Sequence, residues 1–186
     1  MIILDRTLAE NKQDFLWYIF NNLGCRELTL AYSYKDKDDN LRFSKWLKYE
    51  ELEKYNPNDY IESVYCTKQQ FIEKVSHRSV LDIEILMDID DKGKYKTIKN
   101  KAISICKRLK NKKIDYVCSF TGSKSYHISI LIPEFRNIQK EQLRQIKQLR
   151  LNKFNVDTQK SSVRSMIALE GEHHYKSGKI KEKVLL

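Results

Sequence analysis

Asp82, Glu84, Asp88 and Asp90 occupy alternate positions in one short stretch, with Ile83, Ile85, Met87 and Ile89 interleaved among them. Side chains alternate across an extended strand, so the carboxylates share one face and the isoleucines and methionine the other. Asp88 and Asp90, two residues apart, hold their Cα atoms roughly 6.5 to 7 Å from each other. That spacing lets both carboxylates reach one hard cation. Phosphoryl transfer uses such cations at the attacking and leaving oxygens, with two metals about 3.5 to 4 Å apart in the two-metal form. A third carboxylate usually completes the set, and Asp157, at the end of Phe154-Asn155-Val156-Asp157, is the remaining candidate. Ser125, His127 and Ser129 also alternate, with Tyr126, Ile128, Ile130 and Ile132 between and after them. If the two strands are neighbours, the acids and the serine-histidine pair meet on one open sheet surface.

Simpler motifs fail. An EF-hand beginning at Asp88 puts Lys92 and Lys99 where oxygen ligands belong. Gly122-Ser123-Lys124-Ser125 lacks the glycines of a phosphate-binding P-loop, since Cys118 and Ser123 stand in their places. Cys25, Cys66, Cys106 and Cys118 form no zinc-like spacing with one another or with the histidines, so they read as reduced thiols and no structural zinc is expected. Asp-x-Asp alone, leading into Asp91-Lys92-Gly93, reads better as a solvated strand end than as a metal site.

The elements that must position these residues can be read from periodicity. Val80 to Asp90 is a predicted strand, and Ile98, Ala102, Ile105, Cys106 and Leu109 mark a helix whose other face carries Lys99, Lys101, Lys107 and Lys110. Ile114 to Phe120 and Ser125 to Ile132 are strands joined by Thr121-Gly122-Ser123-Lys124, followed by a helix from about Ile138 to Leu151, an irregular stretch and a last strand. The order β-α-β-β-α-β is ferredoxin-like, as in RRM sheets, and its usual pairing sets the first and third strands side by side. Upstream, Thr7 to Glu10 has the form of a capping box before a helix closed by Gly24. Glu27 to Tyr34 and Leu41 to Trp46 read as paired strands, and another strand at about Tyr60 to Cys66 precedes a short helix after Thr67. The expected class is α/β (α+β), with a smaller N-terminal α/β module at 1–79 packed on a catalytic module at 80–186.

With 35 lysines and arginines against 25 acids, the net charge of +10 favours a polyanionic partner. The lysines are spread along the chain, which fits a folded basic surface better than a basic tail. No apolar run reaches membrane-spanning length and Asp5, Arg6 and Glu10 interrupt any signal-peptide core, so an intracellular protein with no membrane partner is expected.

Ile85-Leu86-Met87-Asp88-Ile89-Asp90, Thr121-Gly122-Ser123-Lys124-Ser125-Tyr126-His127 and Val156-Asp157 resemble, in order and spacing, the three motifs of the archaeal-eukaryotic primase superfamily, that is, primase small subunits and primase-polymerases. Arg164, followed by Gly171, His174, Lys176, Ser177 and Gly178, is similar to the arginine and Gly-Ser-x-His-x-Lys-Thr-Gly segment that follows the third aspartate in many members. The likeness covers about residues 80 to 180. Thr121, Ser125, Glu170 and Glu172 depart from the usual residues at their positions. The resemblance implies that Asp88, Asp90 and Asp157 bind Mg²⁺ or Mn²⁺. It implies that Ser125 and His127 contact an incoming NTP or dNTP whose phosphates Lys124, Arg164, His174 and Lys176 neutralise. It further implies a single-stranded DNA template with a primer, a primase-polymerase core fold, and a setting in replication, repair, mobile elements or CRISPR loci, with further domains or replication partners. The alternatives from other classes are an RRM-like module that binds single strands without catalysis, and a metal-dependent nuclease.

Overall fold

The computed structural model describes residues 29–35, 41–43, 47–48, 71–90, 95–162, 165–174 and 177–184. The helix expected before Gly24, and the strand and helix expected at about 60–70, lie outside them. Strands β1 (Thr29–Lys35), β2 (Leu41–Phe43), β3 (Leu47–Lys48) and β4 (Phe71–Ser79) are followed by β5 (Glu84–Ile89) and helix α1 (Tyr95–Asn111). Then come β6 (Val117–Phe120), β7 (Tyr126–Leu131), helix α2 (Lys140–Asn152), β8 (Met166–Ala168) and β9 (Glu182–Lys183). The class is mixed α+β with antiparallel sheets, as expected.

Two sheets form. One runs β2-β1-β4-β8 with β3 also on β1, and the other runs β5-β7-β6-β9. The first and third strands of the ferredoxin-like pattern are neighbours, β5 on β7, with Asp88 opposite His127 and Leu86 opposite Ser129. The end of the pattern departs from a single closing strand: β8 pairs with β4 in the other sheet, and β9 pairs with β6. β8, from the second half of the chain, therefore completes a sheet that the first half begins, which stitches the sheets together near residue 79.

The core follows from alternation. Ile85, Met87 and Ile89 of β5, with Tyr126, Ile128 and Ile130 of β7, pack against Ile98, Ala102, Ile105, Cys106 and Leu109 of α1 and Leu143 and Leu151 of α2. Both helices thus cover one face of the β5-β7-β6-β9 sheet. Cys106 and Cys118 are free thiols inside this layer. α2 also buries Lys147, whose Nζ donates to the Leu81 carbonyl at 2.8 Å and so pins the turn that leads into β5. Residues 82 and 83 belong to that turn and not to the strand, so Asp82 leaves the acidic row expected from alternation. On the opposite face of β5, Leu86 packs with Val80 and Ile167, the latter from β8. That face is covered by the second sheet where an open surface was expected.

Candidate active site

Glu84 is the first consequence of that covering. It is 1% exposed and accepts from Arg78 of β4, through Nη1 to Oε2 at 2.8 Å and Nη2 to Oε1 at 3.0 Å. Arg78 also donates from Nε and Nη2 to Glu170, both at 2.8 Å, and from Nη1 to the Ser79 carbonyl at 3.1 Å. Lys181 Nζ donates to Glu170 and to the Ala168 carbonyl, each at 2.8 Å, while Ser129 Oγ donates to Glu84 at 2.6 Å. Two cations and two carboxylates thus form a buried, neutral, fully bonded cluster between the sheets. Burial pushes Glu170 and Glu84 upward, but Arg78 more than reverses this and holds both below the usual carboxylate range. Glu84 is therefore structural, and Glu170, the unusual acid in the expected Gly-Ser segment, is the counter-charge of Arg78 and Lys181.

Near Asp88, four residues beyond Glu84, the seam between the sheets opens into a cavity of about 220 Å³. It is lined from β4 by His77, from β7 by His127, from the preceding turn by Thr121 and Ser125, and from later segments by Lys160, His173 and His174. All four histidines of the chain meet there. His127 Nε2 lies 3.6 Å from Asp88 Oδ1, too far for a hydrogen bond. Asp88 Oδ1 and His127 Nδ1 are buried without a hydrogen-bond partner. Burial raises the Asp88 pKa, yet His127 and Lys160, whose Nζ stands 3.9 Å from Oδ2, bring it below its ordinary value. His127 is pushed down by burial and by Lys181 against the pull of Asp88. At neutral pH the pair is therefore a carboxylate facing a neutral imidazole. His77 is lowered to about 4, by burial first and then by Lys181, His174 and Lys160.

The turn before β7 is closed by hydroxyls. Thr121 Oγ1 lies 2.7 Å from Ser125 Oγ and donates to the Ser125 carbonyl at 3.1 Å. Gly122 has φ +86, and a Cβ there would stand 2.4 Å from the Lys179 carbonyl oxygen. Residues 171–174 lie antiparallel to 177–181, with Gly171 N–H to Lys181 O at 3.0 Å and His174 N–H to Lys179 O at 2.7 Å, and Ser177 Oγ donates to the Gly122 carbonyl. The two segments that the resemblance singled out therefore dock on each other through a glycine and a serine.

Of the residues expected at the site, Asp88, Ser125, His127 and His174 converge here. Asp90 is exposed at the end of β5, its Oδ1 3.3 Å from Lys124 Nζ. Asp157 is exposed after α2, where its Oδ1 accepts the Gln159 N–H at 2.8 Å, and it is not among the residues that line the cavity. Arg164 and Lys176 lie outside the described residues. Among the described residues no three histidine, cysteine or acidic side chains gather as metal ligands. A magnesium site, however, commonly uses one or two carboxylates and takes its remaining oxygens from substrate phosphates and water. The ionised Asp88 with an orphaned oxygen, and Asp90 two residues on, fit that donor set, and a lysine ammonium already faces each carboxylate. Sequence reasoning missed Lys160, His77 and Arg78; a lysine three residues after Val156-Asp157 was visible, but nothing local linked it to β5.

No protein-family model matches the chain, and no curated protein matches it in sequence. Among solved structures, the chain is similar to the polymerase domain from Mycobacterium tuberculosis Ligase D in complex with DNA, with a TM-score of 0.54 at 12% identity, over 95% of this chain and 81% of that one. At that identity the likeness is one of fold: the chain shares the mixed α+β architecture of that domain. No helix among the described residues is long and apolar enough to cross a membrane.

Proposed function

We propose that the chain is a template-directed nucleotidyltransferase of the primase-polymerase kind, in which a primer 3′-hydroxyl attacks the α-phosphate of an NTP or dNTP and pyrophosphate leaves. The observation that carries the reading is the ionised, half-orphaned Asp88 opposite neutral His127 and beside Lys160, two residues that line a cavity between the sheets. The fold shared with a polymerase domain that was solved with DNA supports it. Asp88 and Asp90, with Asp157 as third carboxylate, would hold Mg²⁺ or Mn²⁺, which when bound neutralises charge on the attacking and leaving oxygens.

The chain's own groups do the rest. At about 220 Å³ the cavity is smaller than the roughly 300–1,000 Å³ of pockets that enclose a whole drug-sized ligand, which suits a phosphate tail with sugar and base outside. Lys160 supplies positive charge there, His174 lines the same wall, and the Ser125 hydroxyl and a neutral His127 supply hydrogen-bond donors without a charge of their own. Arg164, Lys124 and Lys176 are proposed to neutralise the rest of the triphosphate.

The test is incubation with a primed single-stranded template, labelled NTPs or dNTPs and Mn²⁺. Extension is expected, and Asp88→Asn or Asp90→Asn should reduce it on the order of a hundredfold or more. Binding with neither extension nor cleavage would instead support a single-strand-binding module, and template cleavage would support a nuclease.

A further inference from the structure

Between Tyr95 and Lys113, α1 and the turn after it hold eight lysines and arginines and no carboxylate, against a net charge of +10 for all 186 residues. Ile98, Ala102, Ile105, Cys106 and Leu109 point into the core. At 3.6 residues per turn Lys96, Lys99, Lys107 and Lys110 then fall within about 80° of one another on one flank of the helix, about 115° from the middle of the core row and on either side of half-buried Ile103, along roughly 21 Å of helix. All four are exposed. The core layer separates this stripe from Asp88 and His127, which lie on the other face of the same sheet.

The stripe works against the helix that carries it. Lys96 with Lys99, and Lys107 with Lys110, are like-charged neighbours at i,i+3, which destabilises a helix. The first turn holds no acid, and Lys96 stands there against the positive end of the helix dipole. A surface shaped for solubility alone intersperses both signs. Such a stripe is complementary to a regular row of phosphates. Single strands are usually gripped by exposed aromatic rings, yet Tyr116, Phe120, Tyr126, Phe135 and Phe154 are all buried or half-buried, and no described aromatic side chain is exposed.

We propose that the lysine-bearing flank of α1 is a binding surface for the sugar-phosphate backbone of a nucleic-acid duplex, independent of sequence and on the opposite side of the sheet from the cavity. It does not rest on the catalytic reading.

The experiment is fluorescence anisotropy of the full chain with a labelled duplex of about 20 base pairs, over about 50 to 200 mM salt. Lys99→Gln with Lys107→Gln should weaken binding on the order of tenfold and lower the salt slope by about 1.8, two contacts at roughly 0.9 each. Lys99→Arg with Lys107→Arg should bind like the parent, which separates charge from fold. The proposal is overturned by an unchanged slope, or by an equal loss when Lys48 and Lys183 are neutralised instead. It is also overturned if phosphatidylserine vesicles or a single strand bind more tightly with the same dependence on Lys99 and Lys107. Asp88→Asn with Asp90→Asn should retain duplex binding, so a chain that binds duplex through α1 yet never extends a primer defeats only the catalytic reading.

Discussion

Asp157 and Gly122 allow the sharpest tests at the scale of single residues. Asparagine keeps the Oδ1 that accepts the Gln159 N–H, so Asp157→Asn removes the charge and leaves the turn. Extension activity should fall on the order of a hundredfold while the melting temperature is unchanged; full activity would remove Asp157 from the metal set. Gly122→Ala places a Cβ at φ +86 against the Lys179 carbonyl. It should cost roughly 1–3 kcal/mol in urea denaturation and loosen residues 177–181 from the turn. Asp88 and His127 could be brought together from sequence because each lies on the polar side of a strictly alternating strand. Lys160 could not, since its approach to Asp88 depends on where an irregular segment returns to the sheet.

Strands and helices explain both what was readable and what was hidden. The apolar faces of β5, β7, α1 and α2 each carry a clean period, and the structure packs them as those periods require. Alternation tells which side a residue occupies but not what will cover that side, so Glu84 looked like a member of an open acidic row. Its partner Arg78 comes from a strand of the other sheet and Glu170 from a loop 92 residues beyond Arg78, contacts with no local signature. Replacing Arg78 by methionine leaves two buried carboxylates with Lys181 alone as counter-charge. It should destabilise the fold by roughly 3–5 kcal/mol in chemical denaturation, because an uncompensated buried charge costs far more than a lost surface pair. The short strand β8 escaped prediction as a member of the first sheet because three residues carry too little pattern to name a partner.

For the molecule as a whole, the buried imidazoles set the response to acid. His77 has a folded pKa of about 4 against an unfolded value near 6.5, so between those values the unfolded chain binds the extra proton. Stability should therefore decline as pH falls from about 6.5 toward 4, by at most about 3 kcal/mol from this residue, and His127 acts in the same direction. Thermal melts across that window should flatten in His77→Gln. A slope that survives the substitution would assign the effect elsewhere.

The neutral cluster of Arg78, Glu84, Glu170 and Lys181 also constrains how this chain can diverge. Removing any one charge strands another in a dry interior, whereas exchanging the whole set for well-fitting hydrocarbon side chains is often neutral or even favourable in comparable interiors. The four positions should therefore be inherited as a block: relatives should keep all of them or none, and a designed variant could cross from one solution to the other only by changing them together.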